Sequence, residues 1–165
     1  MRRLLVVLGA LSLWSPCVFA LDATLDVSQY VHSSWKIRDG FPKGYVQSLA
    51  QTADGYLWLG TVSGLFRFDG IRDVPWQPPP GEHLPSEIIY RLLAAHDGRL
   101  WIGTFKGLAS WKDGVLTHYP ELEGLIISGI AETPDATIWV AGVAALGTST
   151  GKLCEFRTGT THCQR

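Results

Sequence analysis

A twelve-residue unit occurs twice in this chain. It stands first at Asp54-Gly55-Tyr56-Leu57-Trp58-Leu59-Gly60-Thr61-Val62-Ser63-Gly64-Leu65. It returns at Asp97-Gly98-Arg99-Leu100-Trp101-Ile102-Gly103-Thr104-Phe105-Lys106-Gly107-Leu108. Eight of the twelve positions are identical, and Leu59 against Ile102 is conservative. A third, weaker copy runs Asp135-Ala136-Thr137-Ile138-Trp139-Val140-Ala141-Gly142. The tryptophans of the three copies are 43 and 38 residues apart, and the excess falls in the proline-rich loop Trp76-Gln77-Pro78-Pro79-Pro80-Gly81. A period near 40 built of short segments means units that cannot bury their apolar faces alone and must stack on one another.

Within each period the segments read as strands. In the first unit they are Tyr45–Gln51, Tyr56–Thr61, Leu65–Phe68 and Ile71–Trp76, with turns at Asp54-Gly55, Ser63-Gly64 and Asp69-Gly70. In the second they are Ile88–Ala94, Leu100–Thr104, Leu108–Lys112 and Val115–Tyr119. In the third they are Ile126–Glu132, Ile138–Ala141 and Lys152–Phe156. No window offers apolar residues at helical spacing with few glycines. The predicted class is all-β, with about three four-stranded antiparallel β-propeller blades over 43–76, 84–119 and 124–164.

The repeated residue types have structural reasons. Blades pack face to face, so Trp58, Trp101 and Trp139 each supply a large ring to cement neighbours. Gly60 and Gly103 leave room for an approaching side chain or backbone. Gly64 and Gly107 suit turns that need positive φ. Gly55 and Gly98 close the Asp-Gly turns, and Asp54, Asp97 and Asp135 recur because such a turn favours aspartate. Calcium ligation by these aspartates, or sugar stacking on the tryptophans, is the weaker reading of both sets.

The N-terminus reads as an address. Arg2-Arg3 precedes an apolar run from Leu4 to Leu13, and Val18 and Ala20 occupy the positions a signal peptidase reads. The expected signal peptide is 1–20, cleaved after Ala20, leaving 21–165 with 12 basic and 15 acidic residues. The charge balance carries no basic footprint for nucleic acid. An apolar fraction of 46% with a net charge of -1 excludes a disordered chain. Of three cysteines, Cys17 departs with the signal. Cys154 and Cys163 remain, nine residues apart, to form a disulfide across a turn near Gly159 or to stand as two free buried thiols.

The D-G-x-L-W-[LI]-G-T-x-x-G-L copies, with the lead-in Trp35-Lys36-Ile37-Arg38-Asp39-Gly40-Phe41-Pro42, resemble the two-component regulator propeller repeat. The resemblance runs from about Gln29 to Gln164. It implies a periplasmic, ligand-sensing propeller of a bacterial transmembrane regulator, many of which are hybrid histidine kinases. The third copy departs from the pattern. Ala136 replaces the turn glycine, Ala141 replaces the glycine after the tryptophan, and Gly142–Gly151 is a longer connection. Three blades cannot close a ring, so the expectation is an N-terminal part of a longer, membrane-anchored receptor. Self-association through open blade edges is the alternative. Gln29–Trp35 reads as a closing strand without its partner.

Catalytic patterns are absent from the sequence. Histidines at 32, 83, 96, 118 and 162 form no HExxH or other metal spacing, and Glu121 and Glu123 read as a solvated turn. The chain is read as carrying no catalysis, no metal and no cofactor. The expected ligand site lies on the loops leading into inner strands and joining second to third strands. There Tyr45, His83 and Lys106 are the candidates. The partner is an unknown small ligand, with oligosaccharides one class the resemblance suggests. A stand-alone exported propeller enzyme of lyase type, or an interaction scaffold or non-signalling gene fragment, is the alternative function.

Overall fold

A computed structural model describes residues 45–144, 151–157 and 160–164, all within one unit, Trp35–Arg165. The signal peptide, its cleavage site and the Gln29–Trp35 strand lie outside these residues. Among the described residues, twelve strands form three four-stranded antiparallel sheets, each a meander in which sequence neighbours pair. Blade 1 is β1 (Val46–Gln51), β2 (Leu57–Thr61), β3 (Gly64–Phe68) and β4 (Asp73–Pro75). Blade 2 is β5 (Ile89–Ala94), β6 (Leu100–Thr104), β7 (Gly107–Lys112) and β8 (Val115–Tyr119). Blade 3 is β9 (Ile126–Glu132), β10 (Ile138–Val143), β11 (Gly151–Arg157) and β12 (Thr160–Gln164). Among the described residues a 3-10 turn at Pro120–Leu122 is the helical piece, and no helix is long and apolar enough to cross a membrane.

The strand read as Ile71–Trp76 is shorter than expected. The Asp69 carboxylate accepts hydrogen bonds from the Ile71 and Arg72 amides at 2.8 and 2.7 Å, which holds those two residues in the turn. Trp76 lies just past β4 and donates its N–H to the Leu65 carbonyl at 2.8 Å. In blade 3 the second strand is longer than expected and runs to Val143.

The blades meet in two apolar seams with the same construction. In the first, Trp58, Leu65, Ile89, Leu92, Leu100 and Ile102 are buried together. In the second, Trp101, Leu108, Ile127, Ile138, Val140, Cys154 and Phe156 are. Each seam centres on a glycine of one blade and an isoleucine of the next. A Cβ on Gly60 would lie 2.7 Å from Ile89 Cγ2, and one on Gly103 would lie 2.6 Å from Ile127 Cγ2. Real Cβ atoms do not approach so closely, so only glycine leaves the inner strand of the next blade room to dock. The inner strand of every blade also carries a one-residue register shift beside this position, at Gln47, Tyr90 and Ser128. The bulge re-aims the side chain before it, which in blades 2 and 3 is the docking isoleucine.

Each seam is finished by three aromatic rings. Trp76 stands edge-on to Trp58 at 6.3 Å and to Trp111 at 5.2 Å. Tyr119 stacks on Trp101 at 4.9 Å and meets Phe156 edge-on at 5.0 Å. Trp58 and Trp101 are each 5% exposed. Trp139, their counterpart in blade 3, is only half-buried, and Leu153 beside it is 45% exposed.

Polar bonds cross the seams as well. The Leu92 amide donates to Ser48 Oγ at 2.9 Å, and Arg91 Nε donates to the Ser128 carbonyl at 2.9 Å. The largely buried Glu132 carboxylate accepts the His96 amide at 3.0 Å and meets His96 Nδ1 at 2.8 Å.

Candidate functional site

The turn that joins second to third strand is built by the threonine of the repeat. Thr104 Oγ1 is fully buried, donates to the Gly107 carbonyl at 2.8 Å and accepts the Lys106 amide at 3.2 Å. Thr61 makes the same pair of bonds with Gly64 and Ser63 at 2.9 and 3.0 Å. Gly64 and Gly107 have φ of 126° and 145°, conformations that side chains rarely adopt. In blade 3 Gly142 stands where threonine would, and the connection to β11 is longer. Sequence reading did not single out these threonines, although both sit inside the twelve-residue unit.

In an antiparallel meander the second-to-third turns and the connections to the next blade lie at one end. At that end of blade 2 the β6–β7 turn, the β4–β5 connection and the segment after β8 enclose a groove of about 380 Å³. His83, Lys106, His118 and Glu123 line it, over Pro85, Leu108, Tyr119 and Pro120. Lys106 is fixed by the Thr104 turn below it and by its own carbonyl, which accepts the Gly124 amide at 2.9 Å. His118 sits on β8 opposite Ala109. The His83 and His118 rings lie with centroids 6.0 Å apart, tilted by 52°. Burial pushes the Tyr119 phenol up from its ordinary pKa, against the lowering pull of its Ser110 hydrogen bond and of Arg99.

Of the residues expected to meet a ligand, the structure brings His83 and Lys106 together. Tyr45 is 82% exposed just before β1 and does not line this groove. His118 and Glu123 were not anticipated. His118 looked like an ordinary outward strand residue, and Glu123 like part of a solvated loop.

A second groove, of about 560 Å³, lies between blades 2 and 3 and has Asp97, Arg99, Glu132 and Arg157 among its walls. Its charges are already matched to one another. Asp97 meets Arg99 at 3.5 Å and Lys112 at 3.4 Å, and Arg157 meets Glu155 and Asp135. Burial raises the Asp97 carboxyl, but the Arg99 amide and the Lys112 ammonium outweigh it and hold the group below its ordinary value. The first groove differs in kind. Among the described residues, the side chains of Lys106, Glu123, His83 and His118 make no hydrogen bond or ion pair, and the two imidazoles have their mutual ring contact. Unmatched polar groups converging over an apolar floor are what a ligand site needs. Among the described residues, no cluster of three His, Cys, Asp or Glu side chains could hold a metal ion.

Cys154 and Cys163 stand directly opposite in the β11–β12 ladder and are joined by a disulfide. Asp54 and Asp135 each accept a hydrogen bond from the threonine two residues earlier, and Asp97 accepts the Arg99 amide at 2.9 Å. These aspartates are engaged in their own turns.

Residues 40–63 and 83–106 match the sequence pattern described as Two component regulator propeller. The chain carries the repeat of the two-component regulator propeller family. Among solved structures it is similar to the extracellular domain of the hybrid two component system BT3049 from B. thetaiotaomicron. That likeness has a TM-score of 0.60 at 21% identity, and covers 79% of this chain and 19% of the other. It is also similar to PorZ, a surface component of the type-IX secretion system of Porphyromonas gingivalis. There the TM-score is 0.56 at 14% identity, over 71% of this chain and 19% of the other. Virginiamycin B lyase from Staphylococcus aureus gives 0.50 at 15% identity, over 72% of this chain and 40% of the other. The chain thus spans about a fifth of the length of the first two. At these identities the likeness is one of fold. No curated protein sequence matches the chain.

Proposed function

We propose that this chain is a ligand-sensing portion of the extracytoplasmic propeller of a two-component-type transmembrane regulator. On this reading it is exported to the periplasm after removal of residues 1–20 and performs no catalytic step. It receives a small ligand, an oligosaccharide in class, at the blade 2 groove. The family repeat supports the setting. The observation that supports the site is the convergence of four polar side chains, His83, Lys106, His118 and Glu123, which make no hydrogen bond or ion pair among the described residues, over the floor of Pro85, Leu108 and Pro120. Apolar ring faces and free hydrogen-bonding groups together suit a sugar, which presents both.

Isothermal titration calorimetry of the mature chain against a panel of oligosaccharides tests the site. Binding that Lys106→Met weakens at least tenfold supports it. Binding left unchanged by Lys106→Met and by His83→Ala would place the ligand elsewhere. Fractionation of cells expressing the chain tests export: retention of an uncleaved product in the cytoplasm overturns the periplasmic reading.

A further inference from the structure

We infer that the blade 2 groove takes a ligand bearing a carboxylate, and that it holds such a ligand more tightly in mildly acidic solution than at neutral pH. The inference rests on the ligand site proposed above and adds the ligand's charge class and its regulation.

Charge at the groove wall decides which ligands it accepts. Its titratable members are Lys106 from the β6–β7 turn, His83 from the β4–β5 connection, His118 and Tyr119 from β8, and Glu123 from the segment after β8. Three glutamates close by in sequence, Glu82, Glu87 and Glu121, are not part of the wall. The ammonium of Lys152 donates to the Glu121 carbonyl at 2.6 Å. Burial keeps the Tyr119 phenol protonated throughout, so it takes no part in the switch. With both imidazoles neutral, one ammonium and one carboxylate cancel. Imidazoles as a class gain their proton between about pH 5 and 8. Once protonated, His83 and His118 turn a balanced groove into a cationic one, with rings only 6.0 Å apart to grip one anion between them.

Two repelling imidazoliums at that spacing also need an anion, so ligand binding and proton uptake favour one another. Several other cations of the described surface are engaged. Arg91 bonds Ser128, Arg99 bonds Ser110, Lys112 meets Asp97 and Arg157 meets Glu155. Among the described residues, the Lys106 side chain in the groove has no such partner.

The test is calorimetric titration of the mature chain with trigalacturonic acid and with its fully methyl-esterified form, at about pH 5.5 and about pH 7.5. The two share a sugar framework and differ in charge, and the acid stays ionised at both values. The acid is expected to bind about tenfold more tightly at the lower pH, the scale of one exposed ion pair for each imidazolium. The ester should show no such change. In His83→Gln/His118→Gln the pH effect should vanish. His118→Lys, which keeps a fixed charge, should bind the acid tightly at both values. Acid and ester binding alike would overturn the inference while leaving the saccharide site standing. A pH effect that survives in the double variant would overturn the switch. Failure of both sugars to bind at either pH would remove the saccharide site and this inference with it.

Discussion

Ile127 fills the space above Gly103: its Cγ2 and Cβ atoms lie 2.6 and 2.8 Å from where a Cβ on that glycine would sit. Gly103→Ala should therefore force the seam between blades 2 and 3 apart and cost about 2 kcal/mol, the usual scale of overpacking. Ile127→Ala alone should cost a similar amount through the cavity it leaves. The double variant should cost clearly less than the two together, because each change relieves the other. Urea denaturation of the four proteins measures this coupling. Strict additivity would mean that the two residues do not share the space.

Ala136 stands in the left-handed region, with φ of 60°, where Gly55 and Gly98 stand in the other two copies at 86° and 83°. A side chain costs roughly 1 kcal/mol there. Ala136→Gly should stabilise the protein by up to that amount, less what the glycine loses by freeing the unfolded chain. The readout is a higher urea midpoint with an unchanged slope.

How much of this could be seen in the sequence depends on the distance over which each cause acts. The strands, the meander and the blade count were legible, because alternation and Asp-Gly turns are local, and the repeat of Trp58 at Trp101 announced the period. The space above Gly60 and Gly103 was legible as a need for room, though not as a seat for isoleucine. Naming Ile89 and Ile127 requires knowing that an inner strand bulges at Tyr90 and Ser128, which no local pattern signals. The groove was half legible. His83 and Lys106 lie on loops that the repeat places at one end. His118 joins them only because β8 ends beside the β4–β5 connection, a matter of tertiary packing.

The outer strand of blade 3 buries none of its side chains, from Thr160 to Gln164, whereas β8 buries Leu116. Main-chain pairing and the Cys154–Cys163 bond are what hold it. Cys163→Ser should lower stability by about 2–3 kcal/mol, as expected for closing a loop of this length. Hydrogen exchange should quicken first at residues 160–164 and leave blades 1 and 2 untouched. Uniform quickening across all three blades would show that the bond serves the whole stack.

Acid should weaken the fold through its turn aspartates. Asp69, Asp97 and Asp135 are all held below the ordinary value of 3.8. At Asp69 backbone amides lower it, and at Asp135 the hydroxyls of Thr133 and Thr137 do. At Asp97 the Arg99 amide and Lys112 prevail over burial. A carboxyl with a lowered folded pKa contributes stability that is fully present above its unfolded value and is lost as pH falls through the folded one. Stability should therefore be level above about pH 5 and decline below about pH 4. Asp97→Asn should give a shallower decline in a pH series of urea midpoints, and an unchanged slope would sink the assignment.

The two seams also decide which blades can be neighbours. Blade 2 alone offers both halves of the fit, Ile89 on one face and Gly103 on the other, and so is complementary to itself. A tandem array of residues 84–123 should accordingly dock copy on copy around the axis until the ring closes. Blade 3 has Ala141 at the position of Gly60 and Gly103, with a methyl group where they have none. A blade docked on that face would need a smaller residue than isoleucine, so single side chains decide which blades can be neighbours.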